Sequence, residues 1–260
     1  MTRPEQSAPA PGGAGQEVDQ VAAQVVALLS LRVARFEGRP REDLVARLIE
    51  AVLAPDLAPL ARFLDALRAE RIPAAALADL YIPEAARRMG HGWDDDTLSF
   101  VDVTVGVARL QALLREIGSA WEAEQIREGV RGTVLMLVPQ EEQHTLGALV
   151  AANQLRRMGV SVCVRLGEDT ASLRALIAER GFDAIMISAG ARERVRFLRD
   201  LVAALRAVAA PGTRFLLGGP IAGMEAEILD RIGADFVTGN MFEALDFCGL
   251  SAEPAARRPT

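Results

Sequence analysis

The sequence predicts an α/β protein in two parts, an N-terminal bundle of four to five helices followed by a doubly wound, parallel, five-stranded sheet. Two observations carry this. Hydrophobic residues recur at helical spacing from Val18 to about Glu124, and after Arg131 short apolar runs alternate with helical stretches. The 260-residue length suits one large or two modest domains, and half of the residues are hydrophobic, enough for a sizeable core.

Residues 1–17 carry Pro4, Pro9, Pro11, Gly12, Gly13 and Gly15 with almost no large apolar side chain, and are expected to form a disordered tail. The bundle is expected over 18–126. Val21, Val25, Leu28, Leu29 and Val33 share one helical face, and a second helix is expected from Glu42 to Ala54. A third spans Leu57 to Arg71, and Pro73 opens a fourth through Leu77, Leu80, Ile82 and Met89, with a kink or break expected at Pro83. Gly90, Gly92 and Asp94–Asp96 read as a turn before a long helix from Leu98 to Ala123.

The sheet domain is expected over 130–250, with a flexible tail at 251–260. Strands are predicted at Thr133–Val138, Val160–Leu166, Ala184–Ser188, Arg214–Leu217 and Asp235–Val237. Between them lie helices at about Leu146–Met158, Ala171–Arg180, Arg192–Ala209 and Met224–Ile232. Such alternation implies a doubly wound domain of flavodoxin-like size, whose ligands bind at the carboxyl ends of the strands.

The formal net charge of −6 argues against direct nucleic-acid binding without a local basic patch, and none large enough is present. Cys163 and Cys248 lack metal-ligand spacing and fit a reduced, cytoplasmic thiol pair. No secretory leader or membrane span is expected.

Three motifs fall on the predicted carboxyl edge. Glu142-x-His144-x-x-Gly147 follows the first strand. Glu142 is suited to accept the Nδ1 proton of His144 and leave Nε2 for a metal, the alternative being a solvent-exposed histidine near a helix N-terminus. Ser188-x-Gly190 ends the third strand, where the serine either faces a ligand or caps a helix. Gly218-Gly219 ends the fourth, either admitting a bulky ligand or making a tight turn. A zinc site lacks a second histidine or paired cysteines nearby, and no phosphate-loop pattern occurs at the first turn. Asp94–Asp96 read as a solvated, helix-capping turn, and Arg192, Arg194 and Arg196 as a solvated helix face.

Together these motifs resemble those of cobalamin-binding proteins, in which a helical cap precedes a flavodoxin-like domain bearing Asp-x-His-x-x-Gly, Ser-x-Leu and Gly-Gly. The resemblance covers roughly residues 18 to 250. It implies that His144 replaces the dimethylbenzimidazole base below cobalt, with Thr145 and Leu146 in the same loop, while Ser188, Gly190, Gly218 and Gly219 line the slot for the nucleotide tail. Glu142 stands for the commoner Asp, with a longer reach, and Gly190 for Leu, leaving space near the tail.

In the cap, Trp93 matches the lid tryptophan of adenosylcobalamin-dependent photoreceptors of the repressor type. The Glu-His pair expected ten residues later is Val103-Thr104 here, so the resemblance implies hydroxocobalamin or methylcobalamin rather than adenosylcobalamin. His91, read as lying in a Gly-flanked loop, either approaches the upper face of a corrin or heme or is a flexible surface histidine. The stretch Met89 to Thr104, continuing through Arg109-Leu110-Gln111, and the segment Gln140 to Gly147 resemble the AerR/PpaA antirepressors of purple photosynthetic bacteria and related heme-or-cobalamin sensor domains. That likeness implies a non-enzymatic, light- or redox-responsive regulator acting through a DNA-binding repressor partner. A corrinoid shuttle of a methyltransferase system shares the two-domain plan, and heme is the alternative cofactor, since histidine also ligates iron.

Overall fold

The computed structural model of the protein describes residues 39–128, 130–140, 142, 145–190, 195–223 and 231–251; for 120 and 122–128 this covers the backbone only. The expected N-terminal tail, the stripe from Val21 to Val33, Arg192, Arg194, the body of the Met224–Ile232 helix and nearly all of the C-terminal tail lie outside the described residues.

The first described helix, α1 (Glu42–Leu53), buries Leu44, Val45, Leu48, Ala51 and Val52, a stripe at three- and four-residue spacing. Helix α2 (Ala58–Ala69) buries Phe63 and Leu67. A short helix, α3 (Ala74–Ala76), continues through a π-helical turn, Leu77–Tyr81, into α4 (Ile82–Asp94). The expected irregularity therefore falls just before Pro83. The proline occupies the first turn of α4, where its missing N–H costs little, and the π-turn absorbs the mismatch.

The turn expected over Gly90–Asp96 also starts later, because α4 runs through Gly90, His91 and Gly92 to Asp94. Packing holds the helix together there: Met89 is fully buried, and a Cβ on Gly106 of the next helix would come within 2.7 Å of its sulfur. The chain reverses at Asp96, whose φ is 56°. Helix α5 (Phe100–Glu128) then starts from a reciprocal cap: the Ser99 N–H donates to Asp102 Oδ2 at 3.1 Å, and the Asp102 N–H donates to Ser99 Oγ at 3.1 Å. From α5, Arg109 donates to the carbonyls of Val52 at 2.8 Å, of Ala54 and of Pro55 at 3.4 Å, satisfying the open C-terminus of α1.

The sheet is five parallel strands in the order β2-β1-β3-β4-β5: β1 (Thr133–Val138), β2 (Ser161–Leu166), β3 (Ala184–Ser188), β4 (Arg214–Gly218) and β5 (Phe236–Val237). Alternate residues of β1 feed opposite cores, as a doubly wound sheet requires. Leu135 and Leu137 pack with α7 (Thr170–Glu179) and α8 (Val195–Arg206). Val134, Met136 and Val138 pack with α6 (Leu146–Arg157) and α9 (Met241–Cys248). Helix α9 is an addition to the sequence reading. The two cysteines are free and sit in different cores, and burial pushes the Cys248 thiol up to about 11, so it stays protonated at neutral pH.

Bundle and sheet belong to one compact unit, joined where α5 lies along α6. Gly118 permits the approach, since a Cβ there would stand 2.2 Å from Asn153 Oδ1. Buried Asn153 donates to the Leu114 carbonyl at 2.8 Å, and Gln111 Nε2 donates to Thr145 Oγ1 at 2.8 Å. Asp79, in the π-turn, pairs with Arg157 of α6, and the Arg157 guanidinium lies 4.7 Å above the Trp121 ring.

Removing one member of a buried pair strands the other charge. Asp79→Asn should therefore lower the urea-unfolding free energy by about 3 kcal/mol, whereas the apolar double replacement Asp79→Leu/Arg157→Met should cost less than the sum of the two single changes. Equal or additive losses would deny the pair this role. A second test uses Glu84 on α4. Hydrogen bonds from Arg87 and then Arg88 hold its carboxyl down at about 2, and Arg88 extends the network to Glu42 of α1 at 2.6 Å. This stabilisation is present above the unfolded pKa near 4.3 and is lost as pH falls toward 2. Glu84→Gln should thus cost about 1 kcal/mol at pH 7, with the difference from wild type closing between about pH 4.5 and 2 in denaturation curves.

Candidate functional site

At the carboxyl edge, β1 leads into a helix on one face of the sheet and β3 into a helix on the other, so the crevice between them is the topological switch point. His144, with Glu141 and Gln143, lies outside the described residues. Its neighbours define the loop. The Glu142 N–H donates to the Pro139 carbonyl at 3.0 Å, and Thr145 accepts from Gln111. Leu146 is the first residue of α6 and Gly147 the second. Gly147 is exposed, and among the described residues a Cβ there would meet no atom within 4 Å.

Across the crevice, Ser188 pairs in register with Gly218, and the Ala189 N–H donates to the Gly218 carbonyl at 3.0 Å. Ala189 and Gly190, which follow Ser188, are outside any helix, so the serine does not cap the next one. Gly219 has φ 83°, and a Cβ there would come within 3.0 Å of the Ala189 carbonyl and 3.2 Å of Ser188 Oγ. The tight-turn reading of the Gly-Gly pair holds at Gly219, where the turn needs positive φ and the Ala189 carbonyl stands where a Cβ would go. A Cβ on Gly218 would lie 3.2 Å from the Thr238 carbonyl, extending the strip to β5. The space expected at Gly190 is not open. The Glu142 carboxylate fills it, its Oε2 lying 2.5 Å from where a Cβ on Gly190 would be.

The cap reaches the same edge. Along α5 and α6 the contacts rise together, Gln111 with Thr145, then Leu114 and Gly118 with Asn153, so the two helices run in the same direction. Residues before Gln111 therefore extend past the start of α6, Thr104 by about 10 Å and Phe100 by about 16 Å. This overhang carries an exposed apolar ledge: Phe100 is 67% exposed, Val101 66% and Trp93 51%, with Trp93 edge-on to Phe100 at 6.2 Å. Val103 is half-buried, while Thr104 is exposed and returns its hydroxyl to the Phe100 carbonyl at 2.7 Å. His91 sits on helix α4 rather than in a loop, exposed, with Nδ1 3.4 Å from the Arg87 guanidinium. Arg196 is exposed on α8. Asp94, Asp95 and Asp96 are exposed as expected, although the capping carboxylate is Asp102.

The sequence reading did not assign Gln111, whose link to Thr145 joins cap to loop, or Thr238, whose hydroxyl donates to Glu243 at 2.6 Å. Gln111 carried one signal, its place in the quoted Arg-Leu-Gln run.

Fold and edge define a helix-capped, doubly wound protein whose candidate ligand site is the switch point between β1 and β3. Residues 132–246 match the B12 binding domain family. The chain is 41% identical over 177 residues to an uncharacterized 20.5 kDa protein of the bchF-crtJ intergenic region of Rhodobacter capsulatus, an alignment covering 68% of this chain and 92% of that one. The Methanosarcina barkeri monomethylamine corrinoid protein shares the fold, with TM-score 0.63, 14% identity, and coverage of 80% of this chain and 98% of that chain. The chain belongs to the family of that bchF-crtJ intergenic-region protein, and its sheet part, residues 132–246, is a cobalamin-binding domain. Among the described residues no helix is long and apolar enough to cross a membrane.

Two glycines of the edge should respond oppositely to alanine. Gly219→Ala, strained by positive φ and by the Ala189 carbonyl, should lower apo-protein stability by about 1–3 kcal/mol. Gly147→Ala meets no atom of the described residues and should raise it by about 0.5 kcal/mol. Urea midpoints check both, and a destabilised Gly147→Ala would show that the fold itself needs this glycine.

Proposed function

We propose that the protein binds cobalamin at the β1–β3 crevice with His144 as lower cobalt ligand, and that it is a non-enzymatic, light- or redox-responsive regulator acting in the cytoplasm through a partner repressor of photosynthesis genes. The observation that carries the cofactor half is the side-chain-free strip at the ends of β3 and β4, with the cap's apolar ledge reaching beyond the start of α6 at the same edge. Bound cobalamin supplies a cobalt centre whose upper ligand responds to light and oxidation state. The residues around it hold and screen. Gly147 leaves room at the head of α6, Ser188, Gly218 and Gly219 would line the nucleotide tail, Gly190 would do so only where the Glu142 carboxylate moves off it, and Trp93, Val103 and Thr104 would cover the corrin from the cap.

The regulatory half is supported by the likeness to AerR/PpaA antirepressors and by the relative whose gene lies between bchF and crtJ. Val103-Thr104 offers neither carboxylate nor imidazole, which favours hydroxocobalamin or methylcobalamin over the adenosyl form.

Apo-protein titrated with hydroxo-, methyl- and adenosylcobalamin, and with hemin, in darkness and after illumination, should show uptake of the first two. His144→Ala should abolish or shift the bound spectrum. Uptake of hemin alone, or no uptake, overturns the cofactor assignment; an unchanged His144→Ala spectrum removes the histidine as ligand. Co-purification with a methyltransferase instead of a repressor would replace the regulatory role with methyl transfer.

A further inference from the structure

The sheet ends at β2, and among the described residues no strand lies against its outer edge. In a parallel pair, alternate residues turn both backbone groups to the same neighbour. The Ser161 N–H donates to the Gly132 carbonyl at 2.9 Å and the Gly167 N–H to the Val138 carbonyl at 3.0 Å, so residues 161, 163, 165 and 167 face β1. Val162, Val164 and Leu166 therefore turn their N–H and C=O groups outward. An apolar edge of this kind is a ready template for another strand.

Two arginines stand over it. Arg156 of α6 donates from Nη2 to the Val162 carbonyl at 3.2 Å, and Arg165 of β2 itself donates from Nη1 to the Val164 carbonyl at 3.1 Å. They reach the edge from opposite faces of the sheet. Arg156 comes from the face covered by α6, and Arg165 from the face it shares with Cys163, which packs with α7 and α8. Each is braced by a second contact. Arg156 Nη1 donates to Asn153 Oδ1 at 3.0 Å, beside the seam between cap and sheet, and Arg165 Nε lies 3.1 Å from Glu168 Oε1. Bracing keeps both guanidiniums on the carbonyls they cover.

We propose that the outer edge of β2 is a strand-pairing surface that fits a second copy of this chain, and that Arg156 and Arg165 keep it closed. The fit follows from symmetry. Two β2 edges laid antiparallel about a two-fold axis at Val164 set Val164 against the partner's Val164 and Val162 against the partner's Leu166, all with outward backbone groups. Arg165 then falls opposite the partner's Cys163, so no two like charges meet. Such pairing needs the Val162 and Val164 carbonyls as acceptors, and these are the two that the guanidiniums hold. The inference rests on the sheet and is independent of the cobalamin reading.

Sedimentation of the full chain tests it with wild type, Arg165→Thr and the double variant Arg156→Met/Arg165→Thr, each with and without Val164→Pro. The proline removes an outward N–H and leaves the β1 ladder whole, so it acts on pairing across the edge. Arg165→Thr should lower the dimer dissociation constant at least tenfold, the double variant should lower it further, and Val164→Pro should return both to wild-type behaviour. Variants that associate no more than wild type overturn the closure, as does a wild type whose own association disappears with Val164→Pro. Association that survives the proline lies elsewhere and overturns the edge. Arg156→Met also takes a donor from Asn153 Oδ1, so if the double variant unfolds, Arg165→Thr alone decides, with its urea midpoint confirming that it is folded.

Discussion

The position of the cap depends on a helix contact with a glycine at its centre. At Gly118 any larger residue would drive a carbon into the Asn153 amide, so the close approach of α5 to α6 at this point needs the glycine. Asn153 is buried, and its amide satisfies itself on the Leu114 carbonyl; a slip of one residue would leave that donor unpaired, at a cost of about 1–3 kcal/mol. Asp79 and Arg157 add a directional pair at the same seam, placed by the π-turn that carries Asp79. Apolar contacts alone would allow the bundle to slide along α6, whereas buried polar contacts of this kind are best attested as setters of register. Because the register is set, the residues of α5 before Gln111 must stand beyond α6, and the apolar ledge must stand with them.

The edge below the ledge is built by the opposite means. Where the seam uses side chains, the ends of β3 and β4 remove them. Ser188 and Gly218 are paired by the sheet, Gly219 turns the chain at positive φ against the Ala189 carbonyl, and Ile221 returns to the same carbonyl. The result is a strip whose shape is fixed by backbone hydrogen bonds and is insensitive to rotamers. Such a surface can contact a large flat ligand closely without ordering any side chain to do so, which removes one of the entropic costs of binding.

Much of this fold was legible because its core is periodic. The continuous apolar run of β1, buried on both faces of the sheet, and the helical stripes of α1 and α6 follow from residues near one another in sequence, and the element boundaries came out within a few residues. What sequence reading missed depends on partners far apart or on caps. Helix α9 is short, and its markers, Asn240 capping the Phe242 N–H at 2.9 Å and Gly249 at φ 69°, were available but stood after the last strand, where no further crossover was required. The Gly90–Gly92 segment looks like a turn until Met89 is seen packed on Gly106. In the site, Gly190 read as empty space, since nothing local says that a glutamate forty-eight residues earlier fills it. Gln111 was legible as part of a motif but not as a bridge, because its partner Thr145 lies in the sheet domain rather than the cap.

Among the described residues, the ledge is where large apolar groups stand uncovered together, and it is also held still. Ser99 and Asp102 cap the helix directly before Phe100, the Thr104 hydroxyl is turned back onto the Phe100 carbonyl, and Trp93 rests edge-on against the Phe100 ring. An exposed apolar cluster on a frayed helix end would be expected to collapse onto whatever lies nearest. Here the backbone beneath it is satisfied, so the cluster keeps its shape while awaiting a partner surface. Under the function proposed above, that surface is the upper face of the corrin. A rigid apolar cover with valine and threonine where an acid and an imidazole would be needed is poorly equipped to move protons at an upper ligand.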